Sequence, residues 1–455
     1  MGAAYDSGER HPAPRCLPGT RSTILEKIET WAEAGSEGKS ILWLHGPAGA
    51  GKSAIAQTVA ETCAKRKELA ASFFFARTVA SRNSLKHLFP TIAVQIALSA
   101  PETRQRLDSI LRNDPWIAER ASGSVDLVVL LFQDSSTPAP SSRFLVVIDG
   151  LDECQRHNDQ RHILAEVARL VNTHHLPLRF LIVSRPEAHI CEAFEEPDLA
   201  NIAVTLSLYG ARDDVSKYLR TEFSRISDAK RYKDVLEFVP RPWPSEDIID
   251  RLVDKSGGYF IYASTVIKFI DEENLSPAER LDQILNGSNS AISPSDPGPF
   301  SELDKLYLQI LLSCPSSKIP ILKLILGYAE LSDAYLTVAE LEALFGLPRG
   351  QVKLLLRGLR SLVSFTEWYG GSVTVRLDHA SFGDFLHDKE RSGVYYVDVQ
   401  EWVYTAFCRA FSFGCRLLGF SVDADVELAS RHPIEGLSVK LSMMVGRTDI
   451  STSRL

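Results

Sequence analysis

The segment Ile41-Leu-Trp-Leu-His-Gly-Pro-Ala-Gly-Ala-Gly-Lys-Ser53 constrains the chain more than any other. Ile41 to Leu44 is an apolar run with the length of a buried strand, and Ala54-Ile-Ala-Gln-Thr-Val-Ala60 carries helical spacing. Between them, Gly46 and Gly51 frame a tight loop closed by Lys52 and Ser53. G-x-x-x-x-G-K-S between a strand and a helix is the context a phosphate-binding loop needs. Glycine lets backbone N–H groups turn inward around phosphate oxygens with no Cβ in the way. The helix that follows adds its positive N-terminal end. The expected nucleotide-binding residues are Gly46, Pro47, Ala48, Gly49, Ala50, Gly51, Lys52, Ser53 and Ala54. Lys52 supplies a cation to the β- and γ-phosphates, and the Ser53 hydroxyl is a ligand for Mg²⁺. The bland alternative is an incidental Gly-rich turn, and the flanking strand and helix argue against it.

Four more apolar runs read as strands: Ala70 to Ala76, Phe144 to Ile148, Phe180 to Val183 and Ile202 to Leu208. Helical segments, among them Leu88 to Leu98 and Ile163 to Val171, separate most of them. Apolar strands alternating with helices predict an α/β fold with a parallel sheet covered on both faces. Ligands in such sheets bind beyond the carboxyl ends of the strands. The third strand ends in Asp149-Gly-Leu-Asp-Glu153 and the fourth in Ser184-Arg185-Pro186. Asp149 is placed to hold Mg²⁺ with Ser53. Asp152 or Glu153 would then orient or deprotonate the attacking water, and the sequence leaves open which one. Arg185 is a candidate reader of the γ-phosphate. No Asn-Lys-x-Asp element for guanine follows any strand, which favours ATP.

Before the loop, Ser22 to Ala34 reads as a helix with Ser22 as its N-cap, and residues 1–20 as loop. Residues 211–285 read as helical, broken at Gly257-Gly258. A Ser/Pro/Gly/Asn-rich linker follows from Asn286 to Pro299. Beyond it, Thr337 to Phe345 and Gln351 to Leu362 resemble a helix-turn-helix. Two strands, Val363 to Glu367 and Val373 to Leu377, complete a winged helix. Val403 to Leu418 reads as one more helix. The expected order is an N-terminal segment with its lead-in helix (1–36), an NTPase domain (37–210), an all-α helical domain (211–290), a winged-helix domain (291–390) and a C-terminal segment of no clear pattern (391–455).

Net charge is −8 with 24% charged residues, which argues against a general nucleic-acid binder. Arg349, Lys353, Arg357 and Arg360 recur at spacings of four, four and three, one basic helical face. That face supports an alternative reading, a DNA-binding regulator. The seven cysteines form no CxxC pair, so neither a zinc site nor a disulfide framework is suggested. The N-terminus has no apolar signal region, and Lys268 interrupts the longest apolar stretch. A cytoplasmic protein with no membrane partner is expected.

Several segments, in order, resemble the NACHT-type NTPases of the STAND class. The likeness is to fungal NOD-like receptor proteins with a nephrocystin-like N-terminal NTPase domain. They are Cys16-Leu-Pro-Gly-Thr-Arg21, His45 to Ser53, Ser72-Phe-Phe-Phe75, Ile148 to Glu153 and Val183-Ser-Arg-Pro-Glu187. Further on come Trp243-Pro-Ser245, Ser256 to Ala263 and His379-Ala-Ser-Phe-Gly-Asp-Phe-Leu386. The resemblance implies a signalling switch with slow ATP hydrolysis: ADP with Mg²⁺ in a closed state, ATP in an open state that self-associates or joins partner receptor chains. It implies that Thr20 and Arg21 lie near the adenine and that His379 contacts the β-phosphate. Ala380 stands where relatives carry aspartate, and Gly258-Tyr-Phe260 where they carry Gly-x-Pro. Val125 to Ser142 fits the family poorly, as a divergent helix or a faulty gene-model junction. Relatives usually also carry an effector domain and a repeat sensor. A fragment or scaffold working in trans is therefore a further alternative.

Overall fold

The computed structural model describes residues 2–34, 38–99, 101–117, 123–132, 144–208, 210–272, 276–286, 301–330, 336–367 and 371–398. The expected linker from residue 287 on and the helix expected over Val403 to Leu418 lie outside the described residues. The described residues fall into two compact units. One holds the chain up to Tyr218 with Gly258–Phe260, the other Leu219–Gly257 and the chain from Ile261.

In the first unit, β1 (Ile41–His45), β2 (Leu69–Phe74), β3 (Phe144–Asp149), β4 (Leu178–Ser184) and β5 (Ala203–Ser207) form a parallel sheet ordered β2-β3-β4-β1-β5. All five expected runs are strands. Around them lie α1 (Ser22–Glu33), α2 (Lys52–Lys65), α3 (Leu85–Ser99), α4 (Pro101–Asn113), α5 (Gly123–Phe132), α6 (His157–Asn172), α7 (Ala188–Glu195) and α8 (Pro197–Ala200). This is the α/β architecture of a P-loop NTPase core. Side chains alternate between the two faces along each strand. Leu42, Leu44, Val147 and Val183 pack with Ile28 and Trp31 of α1 and Ile55 and Val59 of α2. Ile41, Trp43, Ile148 and Ile182 pack on the other face with Phe89, Val128 and Leu164. Each fully buried large apolar side chain contributes about 1.5–3 kcal/mol. The Leu127–Phe132 run, ambiguous in sequence, is part of α5, with Leu127, Val128 and Leu131 buried.

One expectation changes before the sheet. Ser22 is the first residue of α1 and not its N-cap; that position belongs to Arg21, at φ 56° with no side-chain cap. Long-range bonds hold Arg21 there: its N–H donates to Asp214 Oδ2 (3.1 Å) and its guanidinium to the Ala50 carbonyl (2.7 Å).

The second unit takes most of α9 (Arg212–Asp228), then α10 (Glu246–Ser256), α11 (Phe260–Ile270), α12 (Pro277–Asn286), α13 (Ser301–Leu311) and α14 (Ile319–Glu330). There follow α15 (Val338–Leu344), α16 (Gln351–Leu355), the antiparallel pair β6 (Val363–Glu367) and β7 (Val373–Leu377), α17 (Ala380–Leu386) and α18 (Lys389–Ser392). The order of two helices, a turn and a hairpin is the expected one. Gln351 to Leu362 is not a single helix, however: α16 stops at Leu355, and a 3-10 turn covers Arg357–Leu359. Within that turn a Cβ on Gly358 would come within 2.5 Å of Ser313 Oγ. Glycine suits that close approach and weakens the helix. Arg349 precedes the Gly350 N-cap, so the four cations do not share one continuous helical face. Among the described residues no single helix is long and apolar enough to cross a membrane.

Candidate functional site

His45 pairs in register with Ser184 and Ser207, and Asp149 with Val183. The carboxyl ends of β1, β3 and β4 are therefore level, and the loops leaving them open on one edge of the sheet. Gly49 and Gly51 take φ of 73° and 87°, the left-handed region that side chains other than glycine rarely enter. A Cβ on Gly46 would lie 2.9 Å from the Cβ and the carbonyl oxygen of Leu208, so the loop passes too close to the chain beyond β5 for anything larger. Gly51 is the N-cap of the 14-residue α2 and gives it no side-chain cap, which leaves the first-turn amides without a side-chain acceptor from the N-cap. Lys52 Nζ donates to the Gly46 and Pro47 carbonyls, each at 2.9 Å. Burial pulls its pKa down, as does Arg185, while Asp152, Asp149 and Glu153 hold it up.

The three acids have separate environments. Asp149 is 3% exposed, and its Oδ1 has no hydrogen-bond partner. Burial raises its pKa to about 6 against the pull of Ser53, Arg10 and Lys52. A carboxylate with one orphaned buried oxygen, with the Ser53 hydroxyl within electrostatic reach, fits the donor set of Mg²⁺, a cation that takes oxygen ligands. Asp152 is tied to Arg185 twice, by the backbone N–H at 3.0 Å and by Nε at 3.1 Å. Glu153 accepts the Arg77 N–H at 3.2 Å, and burial together with the charges of Asp152 and Asp149 pushes its pKa to about 7. The structure thus separates two residues that the sequence left equivalent. Asp152 is paired with Arg185, whereas Glu153 has its pKa raised by burial and by its acidic neighbours.

Other expected residues lie nearby or elsewhere. Thr20 is buried, and its hydroxyl donates to the Leu17 carbonyl at 2.7 Å. Arg21 lies over the Phe260 ring, 5.3 Å from its centroid, besides reaching Ala50 in the phosphate loop. The structure therefore brings Arg21 and Phe260 to the loop. His379 belongs to the second unit. It caps α17, its Nδ1 accepting the Ser381 N–H at 3.0 Å, and the Ser381 hydroxyl bonds Tyr307.

Arg10 has no motif in the sequence to mark it. The residues before α1 line the outer edge of β2: the Phe74 N–H donates to Ala3 O, and the Tyr5 N–H to Ser72 Oγ, both at 2.9 Å. Arg10 then lies 3.5 Å above the Phe74 ring and donates to Gln57 Oε1 at 2.7 Å. Burial lowers its pKa to about 10, and the charge of Asp149 opposes that shift. Only the long-range pairing of this segment with β2 reveals it.

A model of the family described as Nephrocystin 3, N-terminal, matches residues 19–185, a span that contains the phosphate loop, the acidic turn and Arg185. A comparison with curated proteins finds no match. Among solved structures, Drosophila ORC bound to DNA is similar at TM-score 0.41 and 14% identity, over 91% of this chain and 98% of that one. Cdc6p from Pyrobaculum aerophilum is similar at TM-score 0.36 and 14% identity, over 84% and 95%. AMPPCP-bound DnaA from Aquifex aeolicus is similar at TM-score 0.33 and 11% identity, over 76% and 88%. At these scores the likenesses carry no inference about what this chain binds.

Proposed function

We propose that the chain is a nucleotide-dependent P-loop NTPase that works as a switch of the STAND/NACHT kind, with slow hydrolysis of ATP. One observation carries the reading: Asp149, at the end of β3, has its Oδ1 buried without a partner and lies within electrostatic reach of Ser53 and Lys52 of the phosphate loop. The phosphates lie along Gly46 to Ala54, with Lys52 as their cation. Ser53 and Asp149 hold Mg²⁺, which when bound neutralises charge across the β- and γ-phosphates. Glu153 accepts the proton of the attacking water, and Arg185, held by Asp152, faces the γ-phosphate. Arg21 and Thr20 border the adenine. A switch needs ADP and ATP to favour different conformations, and a reader of the γ-phosphate supplies that difference. Self-association of the ATP state, in a cytoplasmic immunity-like or incompatibility pathway of the kind fungal receptors serve, completes the proposal.

The test is the nucleotide content of the purified full chain. One ADP or ATP per chain is expected, with affinity reduced at least about a hundredfold in Lys52→Ala while the far-ultraviolet circular dichroism stays unchanged. Equal nucleotide retention by the variant would overturn the assignment.

A further inference from the structure

A second cluster lies at the starts of α6 and α7, outside the phosphate loop. His157 opens α6, while Glu187 and His189 bracket the first residue of α7. β3 and β4 are parallel neighbours, so the helices that follow them begin close together. One donor atom from each of His157, Glu187 and His189 lies within 4.8 Å of the other two. The two imidazoles stack, with centroids 4.2 Å apart and planes at 21°.

The surroundings prepare these groups as ligands. Gln160 is buried, and its amide nitrogen donates to the Cys154 carbonyl at 2.7 Å and, more weakly, to the Asp152 carbonyl at 3.4 Å. That commitment turns its oxygen toward His189, 2.6 Å from Nε2. An amide oxygen only accepts, so the neutral His189 ring keeps its proton on Nε2 and its lone pair on Nδ1. A fixed acceptor on one ring nitrogen is how metal-bound histidines are oriented. Glu187 occupies the N-cap position of α7 but makes no side-chain capping bond there. His157 is exposed, which opens the cluster to ions from solvent.

We propose that His157, Glu187 and His189 form a binding site for a divalent transition metal of borderline softness, with Zn²⁺ the best match. Two imidazoles and a carboxylate are a donor set that Zn²⁺ takes and that Mg²⁺, which prefers oxygen and its own water, does not. Metal–ligand bonds of about 2.0–2.2 Å bring tetrahedral donors to roughly 3.4 Å apart; Glu187 Oε2 lies 3.8 Å from His189 Nε2, so binding through Nδ1 requires the Glu187 carboxylate to turn toward that nitrogen. Three protein donors leave a fourth position to water. Gln160 joins this site to the Asp152 turn, and the proposal stands apart from the nucleotide reading.

The full chain, freed of metal with a chelator and returned to Mg²⁺ buffer without nucleotide, is titrated with Zn²⁺ by calorimetry. Co²⁺ serves as a spectroscopic probe. One Zn²⁺ per chain is expected, with tetrahedral visible absorption from Co²⁺. His157→Ala and His189→Ala are each expected to weaken binding at least roughly thirtyfold, and Lys52→Ala to leave it unchanged. His157 is exposed, so its variant retains the fold, which circular dichroism checks. The absence of saturable one-to-one binding would overturn the site. So would affinity in His157→Ala within threefold of the parent, which points to cysteines, or loss of binding in Lys52→Ala, which points to the phosphate loop.

Discussion

Asp304 in the second unit and Asp149 in the first are equally hidden, at 5% and 3% exposure. Asp304 receives two bonds from Arg391, from Nε at 3.0 Å and from a terminal nitrogen at 2.7 Å. Other acids of the second unit follow the same pattern. Glu340 closes a capping box with Thr337, Glu342 accepts the Val352 N–H at 3.0 Å, and Glu272 pairs with Arg280. Asp149 instead keeps an oxygen without a partner, and Glu153 has its pKa pushed to about 7. Native folds seldom leave buried polar atoms short of partners. The second unit uses its buried acids to fasten helices. The first holds its acids in a state that a cation would relieve, which is the mark of a site more than of a scaffold.

The comparison breaks first at Asp304. Removing it in Asp304→Ala leaves Arg391 without its partner and is expected to destabilise the second unit by about 3 kcal/mol, the low end for a buried pair because Arg391 keeps some solvent. Urea unfolding reads the change, and a loss under about 1 kcal/mol would show that the pair is not structural.

Asp149→Asn should move the other way. With the aspartate pKa raised from 3.8 to about 6, replacing the buried carboxylate is expected to stabilise the nucleotide-free chain at pH 8, by about 2 kcal/mol. The same change should weaken Mg²⁺-dependent nucleotide binding at least about tenfold. A variant that loses stability would place Asp149 with Asp304.

Protonation sharpens the contrast further. Asp149 and Glu153 have folded pKa values, about 6 and about 7, above their ordinary values of 3.8 and 4.5. The native state therefore holds protons that the unfolded chain releases. Their stabilising contribution is fully present below about pH 4 and is lost as pH rises through 6 and 7. Between pH 8 and 5 the nucleotide-free chain gains stability from these two groups, while Mg²⁺–nucleotide affinity falls because the ligand form is the deprotonated one. Glu153→Gln should flatten the stability profile by on the order of 1–2 kcal/mol over that range, measured against the parent by thermal melts. An unchanged slope would remove Glu153 as the near-neutral group. The smallest effect is at Thr337, where alanine should cost about 1 kcal/mol through loss of the cap, with nucleotide binding untouched.

Some site residues were legible because their signals are local. The phosphate loop needs glycines, a lysine and a serine within a few positions, and its neighbours declare a strand and a helix. Asp149, Asp152, Glu153 and Arg185 follow apolar runs, so topology alone sends them to one edge. The basic residues from Arg349 to Arg360 misled for the same reason. Spacing suggested one helix, but α16 stops at Leu355 and a 3-10 turn follows, where Gly358 packs closely against Ser313, far back in the chain. Ser22 looked like a cap until the bonds from Arg21 to Asp214 and Ala50 fixed the preceding residue in the left-handed region.

By itself the sequence determined the five strands, the loop between β1 and α2, and the acids that face it, because periodicity and turn chemistry act over a few residues. Only the tertiary structure decided that β4 lies between β1 and β3, that Arg10 reaches the neighbourhood of Asp149, and that Asp152 is bound to Arg185 while burial and acidic neighbours raise the pKa of Glu153. Those outcomes depend on burial and on charges brought together from distant parts of the chain, and both exist only once the sheet has formed.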